Sequence, residues 1–188
     1  MAKAFSRKEI TAAVIIAVFW MLSTLLYKNF IAILYLQAIF AINAFFMTIA
    51  AYATRKKMAA TLCAVINALL TIPVIIMNPA ESSLTAFLVG ATILSAIVFD
   101  LSWDRVKSPY RFIPSPIVSQ CSIAVFLWLA IVIMEPGKAF DSTTNYETLN
   151  FLLTLAILGF VGGLAGALFW NLIRTNRHIV RYQLDKGR

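Results

Sequence analysis

Apolar residues in this chain neither alternate with polar ones, as in a half-buried strand, nor keep to one face of a helix. They run on almost unbroken in six stretches, at about 10–27, 30–53, 58–77, 84–99, 117–134 and 149–173. Short polar segments at 28–29, 55–57, 78–83, 100–115 and 135–148 divide them. A helix of roughly 20 apolar residues, rising about 1.5 Å each, crosses a hydrocarbon core of about 30 Å. The pattern predicts an all-α integral membrane protein: a bundle of six transmembrane helices forming one domain over residues 1–188.

Each stretch carries its own marks. The first follows Lys3, Arg7 and Lys8, as a signal peptide would, but it runs on to Tyr27 with no A-x-A-like site behind it and reads as a retained span. The third holds Pro73 near its end, where a kink is expected. Ser82 or Ser83 is the helix-start signal for the fourth, which is short and ends at Asp100. The segment after it mixes Trp103, Tyr110 and Phe112 with Asp104, Arg105, Lys107 and Arg111, and Pro109, Pro114 and Pro116 argue against a long helix there. It reads as an interfacial segment with its aromatic rings at headgroup level. The sixth stretch carries no charge and contains Gly159, Gly162, Gly163 and Gly166. Gly159 and Gly163 lie one turn apart, as do Gly162 and Gly166, and each pair leaves a flat strip for close helix packing. This is the helix on which the others are expected to pack.

Composition agrees with the pattern. The chain is 61% hydrophobic and 13% charged, with mean hydropathy +0.85, more apolar surface than a water-soluble domain of this length can hide. Its net charge of +8 points to anionic lipid headgroups rather than nucleic acid, because the basic residues flank the apolar stretches. Of the sixteen Lys and Arg residues, only Lys28 and Lys138 fall outside the N-terminal segment, the 55–57 and 100–115 segments and the tail. The asymmetry places both termini in the cytoplasm of a plasma-membrane, multi-pass protein. Glu81, Glu135, Asp141 and Glu147 fall in the opposite loops.

Candidate chemistry is sparse. Cys63 and Cys121 lie inside spans and read as small packing residues; His178 lies in the tail; no metal-ligand spacing is present. No acid is placed within a span, and Asp100 reads as a solvated or salt-bridged end residue beside Asp104, Arg105 and Lys107. No buried acid relays protons, no nucleophile and base pair at depth, and no pair of histidines holds a haem. The reading is therefore non-enzymatic, with no cofactor. What remains is neutral: Tyr27, Asn67, Thr85, Trp128, Tyr146 and Asn150 head a set of polar and aromatic residues in the outer halves of the spans. Taken singly, interhelical hydrogen bonding and the aromatic belt account for each. As a group they would line an outward pocket for a small, ring-bearing organic ligand.

The first span contains Ala13-Val14-Ile15-Ile16-Ala17. With six spans, both ends inside, a basic start and a glycine-rich last span running into a basic tail, the chain resembles the substrate-binding S components of energy-coupling factor (ECF) transporters. The resemblance implies that Ala13 and Ala17 form the strip that docks on a transmembrane coupling subunit. It also implies capture of a vitamin or similar micronutrient at the outer face, and partners that include other integral membrane subunits and cytoplasmic ATPases, since the chain has no P-loop. Two alternatives stay open: a non-catalytic structural or accessory subunit of a larger membrane complex, such as an integral-membrane oxidase or monooxygenase, and a small channel or lipid-contacting protein with 100–115 as headgroup sensor.

Overall fold

The computed structural model describes residues 5–30, 35–77, 82–106, 110–134 and 142–174. Among them the chain is all-helical, with six helices and no strand: α1 (Arg7–Phe30), α2 (Tyr35–Thr54), α3 (Ala59–Met77), α4 (Ser82–Arg105), α5 (Pro114–Met134) and α6 (Ser142–Arg174). Two stretches, Arg7–Leu26 and Tyr146–Arg174, are by length and composition able to cross a bilayer; Ala38–Thr54 and Ala59–Pro73 are shorter apolar helices.

Local chemistry sets the helix ends. α1 opens with a capping box: the Ser6 amide donates to Glu9 Oε2 at 2.8 Å, and the Glu9 amide donates to Ser6 Oγ at 3.4 Å. The S-x-x-E spacing at 6–9 is a second helix-start signal beside Ser82 and Ser83. α4 does begin at Ser82, but it continues through Asp100 and Trp103 to Arg105. The expected break at Asp100 is absent, because Leu101, Ser102 and Trp103 keep the helix going and no proline precedes Pro109. Trp103 is accordingly 6% exposed inside the bundle, not laid on its surface. Pro114 stands at the first position of α5, where a missing amide hydrogen costs nothing. α3 continues through Pro73 to Met77.

The α2–α3 turn spans 55–58 and uses two left-handed residues that are not glycine, Arg55 at φ 52° and Met58 at φ 62°. Such a conformation costs an L-residue about 1–2 kcal/mol, and glycine gives back about 0.5–1 kcal/mol of that through the unfolded chain. Met58→Gly is therefore expected to raise stability by about 0.5 kcal/mol, read as a small upward shift in thermal unfolding of the purified protein.

The helices do not pack around α6. Among the described residues, helix α2 touches all five others, while α6 packs on α2 and α5 alone; α1, α3, α4, α5 and α6 follow one another as an arc around α2. α2 takes the centre because its residues bury on every side: Ile39, Phe40, Asn43, Ala44, Phe46, Met47, Thr48 and Ala50 are all closed off. The glycines of α6 explain its tight seat in the arc. Gly162 and Gly166 rest on the α2 backbone at Ala41 and Phe45, and Gly159 and Gly163 rest on the segment leading into α5 and its first turn, at Phe112 and Pro116. The two pairs thus serve two neighbours rather than one.

One end of the bundle collects the start of α1, the 55–58 turn, the end of α4, the start of α5 and the end of α6. Lys56 Nζ lies 3.8 Å from Glu9 Oε2, and Lys57 Nζ lies 3.9 Å from Asp104 Oδ2. Tyr52 meets Trp103 edge-on at 5.1 Å and stacks on Trp170 at 6.4 Å, and the Arg111 guanidinium sits 4.7 Å over the Trp103 ring. This is called the basic end below, and the other the far end.

Candidate functional site

The far end holds a groove of about 280 Å³ between α5 and α6, lined by Ala124, Val125, Trp128, Thr148, Leu149 and Leu152. Trp128 and Ala124 are one turn apart on α5, so the ring and the small methyl share a face. Leu149 and Leu152 supply the α6 wall. The surface is apolar, with the indole and the Thr148 hydroxyl as its polar groups, and suits an aromatic or aliphatic body more than a polar one.

Of the expected ligand residues whose side chains are described, Trp128 lines this groove and Asn67, Tyr146 and Asn150 do not. Tyr146 is 66% exposed, and Asn150, one turn along α6, is exposed with it. Their shared helical face looks away from the groove, which takes Thr148, Leu149 and Leu152 instead. Asn67 is half-buried on α3, with its Oδ1 unpaired. The side chains of Tyr27 and Thr85 lie outside the described residues, as do the 135–141 loop and the tail with His178. Among the four whose side chains are described, Trp128 alone meets the groove, and Asn67, Tyr146 and Asn150 stand apart from it.

The polar residues that do converge sit deeper. Trp20 Nε1 of α1 donates to Asn43 Oδ1 of α2 at 2.9 Å, and Asn43 Nδ2 donates to Thr92 Oγ1 of α4 at 3.1 Å. Ser119 Oγ of α5 donates to the Ser95 carbonyl of α4 at 2.9 Å and lies 3.6 Å from Met47 Sδ. These bonds tie four helices together. Asn43 in mid-span was the legible signal; Trp20, Thr92, Ser95 and Ser119 are ordinary residues until the helices are assembled. Interhelical hydrogen bonds of this kind contribute about 0.6 kcal/mol on average and about 1.7 at most, so Asn43→Leu is expected to cost about 1–2 kcal/mol, seen as a lower unfolding midpoint in detergent. Gln120, on α5, is fully buried in the same interior, and both its amide atoms are without a partner among the described residues.

Ala13 and Ala17 are each 0% exposed. Cys63 of α3 packs against Ala13, its thiol 3.7 Å from the Ala13 carbonyl. The expected docking strip is therefore closed inside the bundle, because small residues let α1 approach its neighbours closely. The face that α1 leaves outward is Ile10, Val14, Ile15, Phe19, Leu22 and Leu26. Both cysteines are free thiols.

Asp100 also departs from expectation. It is 4% exposed, buried in the bundle and not solvated. Its Oδ1 accepts the Ala60 amide at 3.2 Å, and its Oδ2 accepts the Thr61 amide at 2.8 Å and the Thr61 hydroxyl at 2.7 Å. Met58, just before α3, has no side-chain acceptor for those first-turn amides, so a carboxylate from α4 caps α3 in trans. The negative charge also sits at the positive end of the α3 dipole. Among the described residues no three His, Cys, Asp or Glu side chains gather as a metal site would require.

No family model, curated protein or solved structure matches the chain.

Proposed function

We propose that this is a six-span plasma-membrane protein with both termini in the cytoplasm, and that it is the substrate-binding subunit for uptake of a small, ring-bearing micronutrient. Its burial pattern supports the membrane half of the reading. Small residues such as Ala13, Ala17, Ala44, Ala64, Ser95, Ser119 and Gly162 line the helix contacts beside buried Trp20, Phe40, Met47 and Phe99, and yet a further set of large apolar residues, Ile10, Val14, Ile15, Phe19, Ile157, Leu168 and Leu172 among them, faces outward along α1 and α6. Water would force the large apolar residues inside; lipid tolerates them outside and rewards close helix contact through small ones. The basic end carries the positive side chains at 7–8, 55–57, 105, 111 and 174, which supports a cytoplasmic placement against anionic headgroups.

The α5–α6 groove carries the ligand half of the reading. It opens at the far end, the outer face in this topology, and its Trp128 wall suits a flat ring. Asp100 is engaged by three donors as a cap, which supports a non-catalytic role. Coupling and ATP hydrolysis fall to separate membrane and cytoplasmic subunits, with the coupling contact made on a face other than the Ala13/Ala17 strip.

That burial of Ala13 and Ala17 favours a second reading, an accessory subunit of a larger membrane complex such as an oxidase or monooxygenase. Purification from native membranes, followed by mass spectrometry of bound proteins and small molecules, separates the two. Uptake predicts ATPase subunits and a ring compound that is lost in Trp128→Ala. Redox subunits with no small ligand would overturn it.

A further inference from the structure

Gln120 is the unexplained group of the interior. Its amide Oε1 and Nε2 are both buried and both lack a hydrogen-bond partner among the described residues, and the residue is 0% exposed. An amide taken from water into apolar surroundings without a partner loses its hydration and gains nothing in return. A leucine of similar size would fill the same place without that loss. Native interiors seldom keep such a group unless something pairs with it.

Its place on α5 says where a pairing molecule would come from. Gln120, Ala124 and Trp128 are successive residues of one helical stripe, each a turn beyond the last. The upper two line the groove. The third lies about 6 Å further in, by the rise of one turn. On α5 the residue between them is Ala124, and it packs there with Ile123, Phe40 of α2 and Leu155 of α6, the side chains that a deeper ligand would have to displace. The α6 side brackets the same level. Leu152 of the groove lies beside Cys121, with 3.8 Å between the Cys121 sulfur and the Leu152 carbonyl, and Gly159, which has no side chain, lies against Pro116. Gln120 therefore sits directly below the groove on the α5–α6 seam, between these two contacts.

We propose that the groove continues to Gln120, and that its ligand is a neutral, flat ring compound carrying a lactam- or imide-like edge, which pairs with the Gln120 carboxamide while the rings lie against Trp128. A primary amide offers one acceptor and two donors side by side. An edge with an N–H next to a C=O meets it in two parallel hydrogen bonds, and an apolar body fills the rest of the groove. This assigns a ligand class to the proposed binding subunit and rests on that reading of the groove. A site built to hydrogen-bond a group rejects the analogue that lacks it far more strongly than an apolar pocket rejects a missing methylene.

The test uses the full chain purified in detergent and two probes of the same shape, 2-quinolone, which has the lactam edge, and quinoline, which lacks it. Binding is measured by equilibrium dialysis and corrected for partition into protein-free micelles. The wild-type protein is expected to hold 2-quinolone at least about tenfold more tightly than quinoline, as one or two hydrogen bonds of about 1.4 kcal/mol in sum provide. In Gln120→Leu that preference should fall to near unity with quinoline binding unchanged, whereas Trp128→Ala should weaken both probes. Equal binding of the two probes by the wild type, untouched by Gln120→Leu, would overturn the Gln120 assignment and leave the groove standing. Binding of neither probe would remove the groove reading as well. Gln120→Leu should also unfold no earlier than the wild type. If both it and Gln120→Met fail to assemble, the amide is a structural group and the proposal is wrong.

Discussion

Gly162→Ala is expected to loosen the protein by about 1–3 kcal/mol, the range found for forcing an extra carbon into a filled interior. An added Cβ at Gly162 would meet the Ala41 carbonyl oxygen and the Ala44 Cβ of α2. The first of these is backbone, so no rotamer change can make room, and α6 must move off α2 along its length. Gly166 faces Phe45 and Thr48 one turn on and would be dragged with it. Gly90→Ala supplies the control. Nothing lies within 4 Å of a Cβ there, so the same change on α4 is expected to gain about 0.4–1 kcal/mol by stiffening the unfolded chain. Thermal unfolding in one detergent, read by loss of monodisperse protein, ranks the three proteins. Equal behaviour of the two variants would show that α6 does not sit on α2 as described.

Asp100→Ala is expected to cost about 1–3 kcal/mol, because it strips three hydrogen bonds from one end of α3 and leaves the Ala60 and Thr61 amides without their acceptor. Asp100→Asn keeps one oxygen acceptor and should cost less, about 0.5–1 kcal/mol, since it loses the charge at the helix dipole but not every bond. The ordering wild type, Asn, Ala in the unfolding midpoint is the check. A solvated or salt-bridged residue would show no such order. Local opening offers a sharper readout: amide exchange in the first turn of α3 should speed up in Asp100→Ala, while exchange in α6 stays unchanged.

The two residues differ in how far they could be read in advance. The glycine pairs announce themselves, because their spacing matches the helical turn and no other residue allows such close approach. Asp100 could not be placed the same way. Its partners, Ala60 and Thr61, are some forty residues earlier, and nothing in the local sequence around 100 says that α3 lacks a cap of its own. Ala13 and Ala17 show the reverse failure. Their spacing marks a packing strip correctly in kind, but a small-residue strip does not say whether its partner is a sister helix or another protein. Tyr146 and Asn150 fall off the groove for a related reason. They lie on the helix that walls it, near the same end, yet a rotation of part of a turn separates them from Thr148, Leu149 and Leu152, which line the groove.

By itself the sequence determined what depends on composition and near neighbours: helices and not strands, their number, most of their limits to within a few residues, the glycine-lined last helix and the gathering of basic residues between particular stretches. Tertiary structure alone decided that α2 and not α6 is the hub, that Asp100 caps a helix remote in the chain, that Ala13 and Ala17 face inward, and that Gln120 lies unpaired beneath Trp128. The physical reason is that these helices are apolar on every side. A helix with one apolar and one polar face declares which way it turns. Here small residues rather than polarity choose the buried side, and only the docking of one backbone against another shows which small residues meet.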